Sequence, residues 1–296
     1  MNTTNQPPFG VMNEHAVGIV MKEMVRRAIE VIRAQRFIFE AKIKQGHSGE
    51  MDDLVTSADS EAQKVYVKLI GECFPGYGII AEEDNLRVAS RLFGKEGYFT
   101  IDPLDGTKAF GRKQSTGIGT MLALVIDGEI RAAYVGDIMT QEIFGYRPNT
   151  DHVYRISEYG HAERLEITGH IPLSQQVILL NKNPLRFDDE TLWFMNKDFR
   201  DIEIGHGSIG VLMARLWKRE VAAVLLKPEF ATPWDDTPIN GITQKLGFVH
   251  FRYDEAKETF FKYHPDVITE VKKNVKEIFI VHESNLCDLS VRFDRT

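Results

Sequence analysis

Apolar residues recur at helical spacing through "EHAVGIVMKEMVRRAIEVIRAQRFIFEAKIKQ", with Val20, Met24, Ala28 and Val31 or Ile32 aligned along one side. Such a stripe buries one face and leaves the other wet, so the pattern predicts an amphipathic helix over 14–45. The glycines and acids of "GHSGEMDD" then break it into a surface loop. A second helix is expected to start at Ser57 or Asp59, either of which can cap it, with Ala62, Val65 and Leu69 facing inward. Beyond it the period shortens to that of strands. Apolar runs at 79–81 and 98–101 each end in carboxylates, and "TGIGTMLALVIDGEIRAAYVGDI" reads as a hairpin turning at Asp127-Gly128. "EIFGYR" and "HVYRI" continue as strand pieces.

The second half changes character. "QQVILLN", "DIEIGHG" and "VAAVLLKP" read as strands, separated by the helical segments "RFDDETLWFMNKDF" and "SIGVLMARLWKRE" and followed by "WDDTPINGITQKLG", which Gly247 closes. Strand and helix in alternation predict a layered α/β half. The chain is therefore divided into an α+β half over 1–150 and an α/β half over 151–296, the change falling between 145 and 176. The closing stretch "VKKNVKEIFIVHESNLCDLSVRFDRT" reads as a helix with a solvated lysine face and an extended tail.

Composition narrows the function classes. A net charge of -7 over 296 residues argues against a binder of nucleic acid polymers, which needs an excess of Lys and Arg. The two cysteines, Cys73 and Cys287, match neither a zinc spacing nor a disulfide framework, so a cytoplasmic setting is expected. No run reaches the roughly 18 apolar residues of a membrane span, and "MNTTNQPPFG" lacks the pattern of a signal peptide.

The candidate chemistry lies in acids at strand ends and helix starts: Asp59, Glu82-Glu83-Asp84, Asp102 with Asp105, and Asp235-Asp236. Turn preferences alone explain any one of them. In "IDPLDGT", however, Pro103 fixes one backbone angle and Gly106 relaxes another, so both carboxylates can face one point with the Leu104 carbonyl beside them. Oxygen donors of this kind suit Mg²⁺, and the amides of Gly106 and Thr107 form an anion-binding end if a helix begins there. The spacing of three between Asp102 and Asp105 does not fit an aspartyl-phosphate nucleophile, which needs Asp-x-Asp, and "GIGTML" lacks the Lys-Ser/Thr of a P-loop. His206 either ends a strand or touches substrate, and Trp234 reads as a core aromatic.

"DLVTSAD", "AEED", "IDPLDGT", "GHGSIG" and "PWDD" occur in the order of the inositol monophosphatase superfamily, which the chain resembles over about 53–247. The resemblance implies an α+β fold in αβαβα layers of the sugar-phosphatase kind. It implies two or three Mg²⁺ ions, replaceable by Mn²⁺, and sensitivity to lithium. Glu82, Asp102 and the Leu104 carbonyl would hold the first ion, and Asp102, Asp105 and Asp235 the second. Thr107, hydrogen-bonded to Asp59, would orient the attacking water, Gly106 and Thr107 would receive the phosphate, and Gly207 and Ser208 would face the organic part. The segment 14–45 and its loop would form a lid, with Lys42 or Lys44 near a third ion. The implied activity is hydrolysis of a small phosphate ester, of inositol-phosphate type, with a homodimer as one assembly. "TKAF" instead leans toward the 3'(2'),5'-bisphosphate nucleotidases, and a catalytically silent phosphate-ligand binder is the non-enzyme alternative. "NKNPLRF" and "QKLGF" depart from both branches, and Glu229 lies near the place of an acid in the inositol pocket.

Overall fold

The computed structural model describes residues 12–46, 49, 53–254, 259–274, 276–290 and 293–294. Much of the expected loop 46–53 therefore lies outside the described residues, as do the opening decapeptide and the end of the tail. Helix α1 (Glu14–Gln35) starts where Asn13 accepts the amide of Ala16, and it buries Val17, Met21, Met24, Ala28 and Ile32. It stops ten residues before the expected end. Arg36 donates to the carbonyl of Gln114, and the chain turns into β1 (Ala41–Lys44), which pairs antiparallel with β2 (Asp53–Thr56). The helical spacing through 41–44 is overridden by a ladder of inter-strand bonds. Helix α2 (Ser57–Cys73) is capped one residue earlier than expected: Thr56 accepts from Ala58, and Asp59 accepts from the amide of Thr56 in a capping box.

Strands β3 (Gly78–Ala81), β4 (Arg87–Val88) and β5 (Gly97–Asp105) follow, then α3 (Thr107–Gly111). The expected hairpin forms as β6 (Gly119–Ile126) and β7 (Glu129–Asp137), with Asp127 and Gly128 at φ 52° and 79° as its two-residue turn requires. β8 (Ile143–Tyr146), β9 (Val153–Ile156) and β10 (Ala162–Leu165) complete an eight-stranded sheet in the order β10-β9-β8-β7-β6-β5-β3-β4. This sheet extends past residue 150, and the change of sheet falls between Leu165 and Val177.

The second sheet begins with β11 (Val177–Leu180) and α4 (Asp189–Asp198), then β12 (Asp201–Ile204), α5 (Ile209–Trp217), β13 (Ala223–Leu226), β14 (Phe230–Ala231) and α6 (Pro233–Lys245). β15 (Phe248–Asp254), β16 (Thr259–Tyr263), β17 (Lys272–Lys273), β18 (Ile278–His282) and β19 (Phe293–Asp294) close the chain. Seven strands lie in the order β12-β11-β13-β18-β15-β16-β19, and β14 pairs separately with β17. The helix expected near 271–277 does not form among the described residues there. "IFIV" is instead a strand between β13 and β15, where its aromatic and β-branched residues pack on both faces.

Alternation along the strands sorts the core into layers. Leu122, Leu124 and Tyr134 face α1 and α2. Met121, Ala123, Ala133 and Val135 face α5 and α6, which they share with Leu179, Val224 and Ile280 of the second sheet. Ile178, Leu225 and Phe279 pack beneath Phe194 and Met195 of α4. The order is αβαβα, as the resemblance implied. No helix among the described residues is long and apolar enough to cross a membrane.

Candidate active site

β5 is buried along its whole length, and its ladder to β6 slips between Asp102 and Asp105. In a regular strand, positions three apart point to opposite faces. The slip falls at Pro103, which has no amide to give, and turns both carboxylates to one side. Asp235 reaches them from the first turn of α6, where Pro233 occupies a position needing no amide bond and the Thr232 hydroxyl donates to Asp235 at 2.6 Å. Carboxylate oxygens of Asp102, Asp105 and Asp235 lie within 4.8 Å of one another.

Glu82 leaves the end of β3, tied to β5 by its amide, which donates to the Ile101 carbonyl at 3.2 Å. The ammonium of Lys44 stands 3.3 Å from Glu82, 2.8 Å from Glu83 and 3.8 Å from Asp53. Of the two lysines singled out, Lys44 joins the cluster while Lys42 is exposed. Burial alone lowers the pKa of Lys44, but Glu82, Glu83 and Asp53 outweigh it and hold the group charged. Lys44 is thus a cation among these carboxylates. Glu83 is one of the acids of "AEED", whereas Gln63 has no sequence signal of its own. Gln63 exchanges two hydrogen bonds with the Glu83 backbone, at 3.0 and 3.1 Å, and so holds the Glu83 carboxylate under Lys44.

Asp59 is fully buried and accepts from the Thr56 amide at 2.8 Å, the Thr56 hydroxyl at 2.6 Å and the Thr107 hydroxyl at 3.0 Å. The Leu104 carbonyl lies 3.0 Å from the same Thr107 oxygen. Asp59 therefore does two jobs: it closes the α2 capping box and orients Thr107.

Ser208 corrects an expectation. It is fully buried, its hydroxyl donates to Asp105 and accepts from Val211, and it faces no cleft. The amides of Ile209 and Gly210 also donate to Asp105, at 3.2 and 2.8 Å, so this carboxylate sits on the N-terminal turn of α5. Gly207 does line the cleft. It crosses Gly106 and Gly117 so closely that a methyl on Gly106 or Gly207 would meet the Gly117 carbonyl at 2.4 or 2.3 Å. Both have positive φ, 88° and 84°, so side chains are excluded by conformation and by space.

Crowding shifts the carboxylates in one direction. Burial raises Glu82 to about 8 against the pull of Lys44, and raises Asp105 to about 7, with Asp235 adding repulsion. Asp102 is driven well above the carboxylate range by burial, then by Glu82, Asp105 and Asp235. Asp59 rises to about 6 through burial, moderated by Thr56. Two like charges about 4 Å apart repel by about 4 kcal/mol at an effective dielectric of about 20. Hard oxygen donors held together under that repulsion fit divalent cations of the Mg²⁺ class.

The cleft over this cluster encloses about 550 Å³. Lys108 of "TKAF" lines its exposed side with exposed His206 and with Arg112 and Gln114, two polar residues that no motif singled out. Trp234 borders it but is 2% exposed and packs on Ile80, Tyr98 and Val125, as a core aromatic does. Glu229 is exposed, pairs with Lys182 at 3.5 Å, and does not line the cleft.

Two sheets and three helical layers, closed around an acidic cation-accepting cleft, define the class of fold. Residues 13–278 match the inositol monophosphatase family, and the chain belongs to that family. It is 31% identical over 94 residues to the inositol-1-monophosphatase of Bacillus subtilis and 35% identical over 92 residues to Nus factor SuhB of Xylella fastidiosa. These alignments cover 31% of this chain and only 34% and 31% of those relatives. The fold superposes on the extragenic suppressor protein SuhB of Bartonella henselae with a TM-score of 0.68, at 16% identity over 91% of this chain and 95% of that one. An IMPase/NADP phosphatase solved with Mg²⁺ and phosphate gives 0.66, at 16% identity and 92% of both chains. A staphylococcal inositol monophosphatase soaked in LiCl gives 0.67, at 15% identity over 93% and 92%.

Proposed function

We propose that this protein hydrolyses a small phosphate monoester by direct attack of water, using divalent cations held by Glu82, Asp102, the Leu104 carbonyl, Asp105 and Asp235. The observation that carries this reading is the convergence of those carboxylates beside the Thr107–Asp59 pair in one cleft. Family membership and the Mg²⁺, phosphate and lithium complexes of fold relatives support it.

Bound cations supply charge for the phosphate oxygens and lower the pKa of water. The chain supplies position. Thr107 donates its hydroxyl hydrogen to Asp59 and keeps lone pairs free to accept from a water, fixing the line of attack. Asp59, raised to about 6, is poised to take up proton density through Thr107 near neutral pH. The first-turn amides at Gly106 and Thr107 have no partner inside α3 and would hold phosphate oxygens.

For the organic part we favour an inositol-type phosphate. Lys108 and Arg112 on the rim favour a second reading, an ester bearing another anionic group such as adenosine 3',5'-bisphosphate. The free cysteines Cys73 and Cys287 suit a reducing, cytoplasmic setting. Phosphate release from inositol 1-phosphate, adenosine 3',5'-bisphosphate and a sugar phosphate, with Mg²⁺ or with EDTA, tests the proposal. Mg²⁺-dependent turnover of at least one is expected. Binding of these esters without release from any would leave the silent binder as the reading.

A further inference from the structure

β15 carries His250 and Arg252 two residues apart, so both side chains leave one face of the second sheet. Across the ladder they stand opposite Ile280 and Ile278, and His250 also stands opposite Tyr263. A polar pair at inward positions of an interior strand breaks the apolar pattern around it. His250 is 3% exposed, yet its Nε2 has no hydrogen-bond partner among the described residues, and neither has the buried Nε of Arg252. The Arg252 guanidinium carbon lies over the Tyr263 ring, 4.1 Å from its centroid, and Arg252 also hydrogen-bonds the Tyr263 side chain. Buried polar atoms are seldom left unpartnered.

These atoms border a cavity of about 500 Å³ with Asp236 and Asn240 of α6. Its remaining walls combine apolar residues such as Ile239 and Ile268 with Lys272, Lys273, Lys276 and Asp266. Converging polar groups beside apolar walls in a cavity of this size are the marks of a small-molecule pocket. Burial, with His264 and Arg252, lowers His250 to about 4, so its ring is neutral and Nε2 serves as donor or acceptor. Arg252 supplies a charged donor for an anionic group, and the oxygens of Asp236 suit a ligand with a hydrogen-bond donor of its own.

We propose that this cavity binds a small hydroxy acid or amino acid, its carboxylate on Arg252 and its hydroxyl or amine between His250 Nε2 and Asp236. Asp235 lines both this cavity and the acidic cleft, so the two sites share a wall.

Calorimetric titration of the full chain in EDTA with L-malate, L-lactate, L-serine and L-aspartate tests this. At least one probe is expected to bind saturably, Arg252→Met to weaken it tenfold or more, and Asp102→Asn to leave it unchanged. The ¹⁵N shift of His250 Nε2 in the wild-type protein gives a second readout, independent of how the variant folds, and is expected to move on saturation. Absence of saturable binding by all four probes overturns the proposal, as does equal binding by Arg252→Met, loss of binding in Asp102→Asn, an unmoved His250 signal, or a cavity holding only ordered water.

Discussion

The hydroxyl of Ser208 donates to the carboxylate of Asp105, joining residues 103 positions apart and from opposite halves of the chain. One bond thus positions a candidate metal ligand and, through Val211, starts α5. Ser208→Ala removes a cap and a charged hydrogen bond, at a cost of about 1–2 kcal/mol of stability. Denaturant titration should show that loss, and the Mg²⁺ concentration for half-maximal turnover should rise severalfold.

Replacing a ligand separates catalysis from folding. Asp102→Asn should lower turnover by more than about a hundredfold, beyond the usual effect of groups that merely orient ligands. Because it relieves repulsion, it should also raise the melting temperature of the protein in EDTA. Near-normal turnover by this variant would remove Asp102 from the chemistry.

Thr107→Ala should reduce kcat about a hundredfold with a smaller change in KM, while Thr107→Ser, which keeps the hydroxyl, restores most of it. Equal loss in both variants would point to the methyl group and against the bond to Asp59.

The pH dependence of stability follows from the raised carboxylates. Unfolded, Asp and Glu titrate near about 4; folded, Asp59, Asp105 and Glu82 titrate at about 6, 7 and 8. Between those limits the folded chain holds more protons than the unfolded one, so stability falls as pH rises from about 4 to about 8. Melting curves in EDTA should show this decline. Mg²⁺ should stabilise more at about pH 8 than at about pH 6, since it favours the charged forms.

Lys44→Met leaves Glu82 and Glu83 without their ammonium. In EDTA the variant should melt several degrees lower, and Mg²⁺ should recover more of the loss than it adds to the wild type. A melting curve identical to wild type would show that the ion pairs contribute nothing to the fold.

The sequence made some of this legible and concealed the rest for physical reasons. Asp102 and Asp105 could be paired because proline and glycine mark an irregular turn within six residues. Their meeting with Glu82 and Asp235 was legible only through the likeness of motifs, since local patterns carry no information about distant contacts. Thr56 was passed over as a cap because Ser57 and Asp59 beside it are equally good cap formers. The end of α1 and the central strand "IFIV" were misread for one reason: short apolar runs fit either period until a neighbouring strand claims them. Lys44 and Glu83 meet only through folding, and the His250–Arg252 pair on one face of β15 has no local signature.

The crossing of Gly106, Gly117 and Gly207 works as a clasp between the halves, with no room for even a methyl group at the seam. The Ser208 amide also donates to the Gly117 carbonyl across this crossing, at 2.8 Å, so hinging there would break a hydrogen bond, and the deep end of the cleft resists opening. Widening that admits an ion or releases product is then easier at the two-stranded ribbon of β1 and β2, which carries Lys44. The pace of ion exchange would then be set by that ribbon and its lysine.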